Sequence, residues 1–307
     1  MVTIGWRGLA ILIFVEVILP VFLIFVCGFI LQRVFLLDIK PISTLAVYLL
    51  LPFLVFETFY TEPLDMNFLY IALTSVVIMA VLIGAGVVLC RFLNYDKSET
   101  NAFLLSTVFP NSGNYGIPIV LFAFGRQGVA YAMPLMIVHA ILMGIIGIYI
   151  AANGHGGVKV SLKTVLKQPM NYAIIPAVIL QQFHISIPGN FLKSIELVGN
   201  TAIPVVMIIL GMQLANVAVK QINWGQIGLA SVLRLIISPL IAFAVCLIFP
   251  ISPLLRNVII VMAAMPSAAN TTLYAIQFNA RPQFVSSCTL ITTLASVVTL
   301  TVLLNII

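Results

Sequence analysis

Asn111, Ser112 and Asn114 stand among Pro110, Gly113, Gly116 and Pro118 in the stretch Phe109-Pro-Asn-Ser-Gly-Asn-Tyr-Gly-Ile-Pro118. The stretch lies inside an apolar run from about Ala102 to Phe124. A second one, Pro266-Ser-Ala-Ala-Asn270 followed by Thr271 and Thr272, interrupts another apolar run. Proline removes a backbone donor and clashes with the preceding turn, and glycine weakens helix further, so each stretch predicts a broken membrane helix. Unwound backbone persists in hydrocarbon only where it is buried in protein or faces a water-filled cavity. Each break leaves a half-helix N-terminus with free N–H groups and about half a positive charge, and two such ends converging attract an anion. Asn114 and Asn270 occupy matching places and offer amide donors and acceptors, enough to hold a carboxylate without a permanent cation. Asn111, Ser112, Gly113, Thr271 and Thr272 extend this polar surface. Unwound carbonyls and helix C-termini on the other sides suit a cation or a proton-bearing group. The plainer reading is that these residues only satisfy their own backbone; placing them twice in hydrocarbon is costly and favours a binding site.

Neither stretch contains Asp or Glu, which a sodium/proton antiporter would be expected to place there. The pattern therefore points to an anionic or neutral ligand. Three ionisable residues remain within apolar runs. Arg234 lies on the order of 15 Å deep at 1.5 Å per residue, where it either neutralises a ligand carboxylate or pairs with Glu16 or Glu57. Glu16 reads as a snorkelling or water-exposed side chain, with proton coupling as the sharper option. His139 reads as an interhelical hydrogen-bonding residue or a proton relay.

The chain that positions these groups has 307 residues, 62% hydrophobic and 7% charged. Soluble domains carry about 25% charged residues, so this is a polytopic membrane protein. Ten spans are expected, at roughly 9–32, 42–60, 67–93, 101–124, 129–151, 170–187, 196–217, 224–249, 254–278 and 283–307. With the N-terminus outside, nine Lys and Arg fall in inner loops (Arg33, Lys40, Arg91, Lys97, Lys159, Lys163, Lys167, Lys220, Arg281). Four fall outside (Arg7, Arg126, Lys193, Arg256). This asymmetry places both termini outside and accounts for the net charge of +6 without nucleic acid. Lys159, Lys163 and Lys167 alternate with apolar residues in a linker, 153–168, which predicts a short helix on the cytoplasmic surface. Cys27, Cys90, Cys246 and Cys288 lie in apolar runs, with neither metal-ligand nor disulfide-framework spacing. Pro20, Pro52, Pro176 and Pro204 are expected to kink their spans.

An offset of 156 residues repeatedly pairs like with like. Pro20 meets Pro176, Asn67 meets Asn223, Ile71–Val76 meets Ile227–Val232, and Cys90 meets Cys246. The same offset superposes Pro110–Asn114 on Pro266–Asn270; Pro52 and Pro204 pair after a four-residue adjustment. Residues 1–152 and 169–307 thus read as two copies of five spans. Five is odd, so the second copy is inverted, with broken helices four and nine crossing near the midplane. Inverted repeats with discontinuous helices mark secondary transporters.

Asn111-Ser-Gly-Asn-Tyr-Gly-Ile-Pro118, followed by Pro266-Ser-Ala-Ala-Asn270, resembles the auxin efflux carrier family, which includes plant auxin exporters and bacterial relatives assigned to malate or malonate transport. The resemblance covers nearly the whole chain in span count, repeat and break positions. It implies the fold of the bile acid/sodium symporters, with spans one, two, six and seven as a scaffold and the other six as a transport domain. It also implies carboxylate binding near Asn114 and Asn270, elevator-like alternating access, and homodimers. The sequence departs from that pattern in its short central linker and in lacking an acidic residue at the second break, which argues against sodium coupling.

These readings converge on a secondary transporter of small organic anions, monocarboxylates or dicarboxylates, in a plasma membrane, needing no cofactor or metal. A cation/proton antiporter or sodium-coupled symporter of the same fold is the alternative, and would gain if Glu16 or Glu57 proved essential for cation-dependent proton flux. An intramembrane enzyme using a serine and His139 finds no Gly-x-Ser-x-Gly, His-Glu-x-x-His or Cys-x-x-Cys support.

Overall fold

A computed structural model describes residues 6–62, 65–152, 163, 165–217 and 223–307. Most of the linker in which a surface helix was expected, including Lys159, lies outside the described residues, as does Lys220 of the inner loops.

The described residues form helices, with an isolated two-residue bridge as their one β-type pairing. In chain order these are α1 (Gly8–Phe35), α2 (Ile39–Thr61), α3 (Met66–Phe92), α4 (Lys97–Thr107), α5 (Ser112–Ala151), α6 (Pro169–Gln182), α7 (Gly189–Ala215), α8 (Trp224–Cys246), α9 (Pro253–Ala263), α10 (Ala269–Gln277) and α11 (Pro282–Ile306). Seven of them, α1, α2, α3, α5, α7, α8 and α11, are long and apolar enough to cross a membrane. This is a multi-pass membrane protein. α5 is not one straight rod: Gly125 adopts φ 65°, ψ −162°, breaking the run between Phe124 and Arg126. A positive φ of this kind is open to glycine and strained for other residues.

Local sequence explains where the short helices start and stop. Asp96 caps α4 in a reciprocal capping box with Glu99, and Ser252 caps α9 by accepting from the Leu255 N–H. The Asp96 backbone N–H, and secondarily Arg281 at 2.9 Å, hold the Glu99 carboxyl below its usual pKa. The two caps are 156 residues apart, and so are the two 11-residue helices they open, Lys97–Thr107 and Pro253–Ala263. The breaks that follow them are narrower than the sequence suggests. The chain resumes helical geometry at Ser112, as a wide π-type turn closed by Gly116 N–H donating to Asn111 O at 2.9 Å. Pro118 does not extend the break, because it sits in the first turn of the next α-helical segment, where its missing N–H costs little.

Packing divides the helices into two groups. α1 lies along the second half of α7, and α6 and the first half of α7 lie against α2. The α1–α7 crossing is backbone to backbone: a Cβ at Gly28 would come 2.2 Å from Ile208 O, and one at Gly211 would come 2.0 Å from Phe25 O. Small residues that let helix backbones touch are how helices associate within lipid. α3, α5, α8, α9 and α11 pack around the breaks. Tyr115, fully buried, joins the two groups: its ring meets Phe25 of α1 edge-on at 5.1 Å, and its hydroxyl is 2.8 Å from Ser296 Oγ of α11.

Candidate functional site

The two unwound segments pair with each other. Asn111 N–H donates to Pro266 O at 2.8 Å and Ala268 N–H donates to Phe109 O at 2.9 Å, an antiparallel bridge between Pro110 and Ser267. Ser267 N–H donates to Thr292 Oγ1 at 3.2 Å. The backbone groups that proline and glycine release are therefore met largely by the opposite break and by α11, and the asparagine side chains are not consumed in that task.

Those side chains line a cavity of about 180 Å³. Asn111, Ser112, Gly113, Asn114 and Asn270 all contribute to its wall, with Pro110 and His139. Its volume suits a small solute rather than a drug-sized one. Among the described residues, no Asp, Glu, Lys or Arg lines it. Asn111 is 5% exposed and buries its Nδ2 without a partner, while Asn114 is half-buried and Asn270 exposed. Neither the Asn114 nor the Asn270 amide is engaged by another protein group among the described residues. α5 and α10 begin at this wall, and their N-cap residues, Asn111 and Ala268, provide no side-chain cap. Uncapped N–H groups, the helix dipole and free amide donors all favour negative charge in one place.

Not every expected residue belongs here. Thr271 is fully buried and donates to Ala268 O at 2.7 Å, and Thr272 lines a different, mainly apolar cavity between α7, α10 and α11. Ser112 Oγ lies 2.6 Å from His139 Nδ1, the two residues standing on α5 on either side of the bend at Gly125. Glu16 is exposed, on a π-type turn of α1, and lines none of the cavities described here. Glu57 pairs with Arg126 at 3.2 Å, and Arg126 also donates to Asn200 Oδ1 at 3.0 Å. Arg234 meets neither Glu16 nor Glu57, nor does it line the cavity of the asparagines. Its guanidinium donates to Thr107 O at 2.9 Å, Val108 O at 3.0 Å, Ser238 Oγ at 2.7 Å and Ala263 O.

Two glutamines missed in the sequence join the wall. Gln168 precedes α6 and Gln213 lies near the end of α7, and each buries its Oε1 without a partner. Neither falls in a proline–glycine cluster, so nothing but their polarity marked them. Gly116 lies at the contact with α9, where a Cβ would come 2.6 Å from the Met262 thioether, a flexible side chain.

A larger cavity of about 430 Å³ lies at the other end of α2 and α7, lined by Glu57, Thr58, Glu62, Arg126, Glu196 and Asn200 among others. Three carboxylates against one guanidinium make its wall unfavourable for an anion. We therefore take the smaller, uncharged cavity as the candidate site.

Residues 13–304 match the family model described as membrane transport protein. The chain belongs to that family. The resemblance to auxin efflux carriers is borne out by this match. An uncharacterised transporter of Methanocaldococcus jannaschii is 27% identical over 263 residues, covering 83% of this chain and 85% of the relative. Another, from Methanothermobacter thermautotrophicus, is 27% identical over 293 residues, covering 93% and 95%. The protein is thus a membrane transporter and not an enzyme.

Proposed function

We propose that this transporter is a secondary carrier of small organic anions, carboxylates above all, which bind in the uncharged cavity at the crossing of its two broken helices. One observation carries the reading: the unwound backbones pair with each other, leaving the Asn111, Asn114 and Asn270 amides and two uncapped helix N-termini for a ligand. A carboxylate offers acceptors in the number and charge these donors call for.

In this account the chain crosses the membrane ten times as two inverted five-span repeats. α4 with the start of α5, and α9 with α10, are the broken fourth and ninth spans. The identical lengths of α4 and α9 at the 156-residue offset support that correspondence. α1, α2, α6 and α7 form the scaffold, and the remaining helices carry the ligand past it in an elevator-like movement. Both termini lie outside in this reading, which the excess of Lys and Arg in the inner loops supports, and the membrane is taken as the plasma membrane. The candidate cavity reaches Ser43 near the start of α2 and Met170 near the start of α6, so this conformation faces the cytoplasm. The cavity near Glu57 and Arg126 then lies on the outer side, where that ion pair ties α5 to α2. Homodimers, implied by the resemblance, are part of the proposal. A cation/proton antiporter is not favoured, since Glu57 already holds Arg126 and Glu16 stands apart from both cavities.

Counterflow in proteoliposomes tests the carrier reading. Vesicles preloaded with an unlabelled carboxylate should concentrate the same labelled carboxylate, and Asn114→Ala and Asn270→Ala should each lose most of that uptake. Equal uptake by wild type and both variants would refute the site.

A further inference from the structure

α4 and α9 both run into the crossing and stop there, which brings two helix C-termini together behind the breaks. Each C-terminus carries roughly half a negative charge on unpaired carbonyls, so two make about one full charge. We propose that the Arg234 guanidinium is the resident cation of this crossing, held in the seat that a coupling metal cation would otherwise need, so that anion binding is independent of sodium. The inference rests on the crossover reading above and adds the coupling to it.

The geometry is specific. Nη1 donates to Thr107 O and Val108 O, the end of α4, and Nη2 donates to Ala263 O, the last residue of α9. Ser238, one turn on from Arg234, accepts from Nη2 and itself donates to Ala263 O at 2.8 Å. One planar fork thus spans both half-helices, which a point-charge ammonium could not do with the same set of bonds. Arg234 is 1% exposed, and every group that accepts from it is neutral. Among the described residues lining the small cavity beside it, which is about 20 Å³ and water-sized, His139 is the one other titratable group. A guanidinium buried without a carboxylate is costly unless something else compensates it, and the two converging dipoles do so.

Position in the repeat strengthens the point. Subtracting the 156-residue offset from 234 gives Ile78, and Ile78 lines the same small cavity. The two counterpart positions face one another, and one cation on one of them serves both helix ends. With the negative side of the crossing neutralised, the N-termini of α5 and α10 keep their positive ends toward the ligand cavity.

The test is thermal unfolding of the purified full-length protein in choline, sodium and potassium chloride, and with added millimolar guanidinium, with no carboxylate present. Wild type should show the same midpoint in all three salts. Arg234→Lys keeps the charge and Arg234→Gln keeps two donors without it, so the lysine variant should unfold at the higher temperature. Arg234→Ala should regain part of its lost midpoint with guanidinium, saturably. A saturable sodium stabilisation of the wild type would overturn the proposal. So would a glutamine variant at least as stable as the lysine one, a comparison that stands even if the alanine variant does not fold. Because no carboxylate is used, these outcomes are separate from the fate of the carboxylate site.

Discussion

Taking away the Asn114 carboxamide removes a donor that no other described residue engages, so its loss should fall on the ligand. Hydrogen bonds to charged groups contribute about 1.5–3 kcal/mol, which predicts a weakening of carboxylate affinity by roughly tenfold or more in Asn114→Ala. Ser112→Ala should cost less, a few-fold, because that hydroxyl is already engaged by His139. Thr272→Ala should leave affinity unchanged, since its side chain faces another cavity. Concentration dependence of uptake checks all three; complete loss in Ser112→Ala with normal folding would speak for a nucleophile instead. Which side chains share the site was legible where residue type and backbone break coincide, as at Asn111, Asn114 and Asn270. It was not legible for Gln168, just before α6, or for Gln213 in α7, since neither lies in a proline–glycine break. Nor were Arg234's partners readable, because they are mostly backbone carbonyls, which every residue has.

The same contrast runs through the elements. Pro110 and Pro266 stand in the non-helical stretches that follow α4 and α9, and Asp96 and Ser252 fix the starts of those two helices. Pro118 misled as to extent, because a proline in a first turn is compatible with helix. Helix pairing was beyond the sequence: Gly28 and Gly211 look like any other glycines until their backbones are seen to touch. Their roles predict unequal costs. Gly211→Ala drives a methyl into the Phe25 carbonyl, a backbone group that cannot swing aside, and should cost about 1–3 kcal/mol, lowering the unfolding temperature by several degrees. Gly116→Ala meets the thioether of Met262, a flexible side chain that can yield, and should unfold closer to wild type. Reversal of that order, read by differential scanning calorimetry, would contradict the rigid α1–α7 contact.

For the whole molecule, composition alone was enough for a multi-pass membrane protein, and α4 and α9, each of 11 residues, start 156 residues apart. On the proposal made above, Arg234 supplies the charge at the crossing, and the N-termini of α5 and α10 keep their positive ends toward the candidate cavity. The central claim is that this cavity binds carboxylates without a metal cation. Its most direct test is ligand-induced thermal stabilisation by a panel of small mono- and dicarboxylates in sodium-free buffer, on wild type and Asn114→Ala. A carboxylate present at 100 times its dissociation constant should stabilise the wild type by about 2.7 kcal/mol, and much less in the variant. If no carboxylate in the panel shifts the wild type, or if Asn114→Ala responds equally, the claim is contradicted.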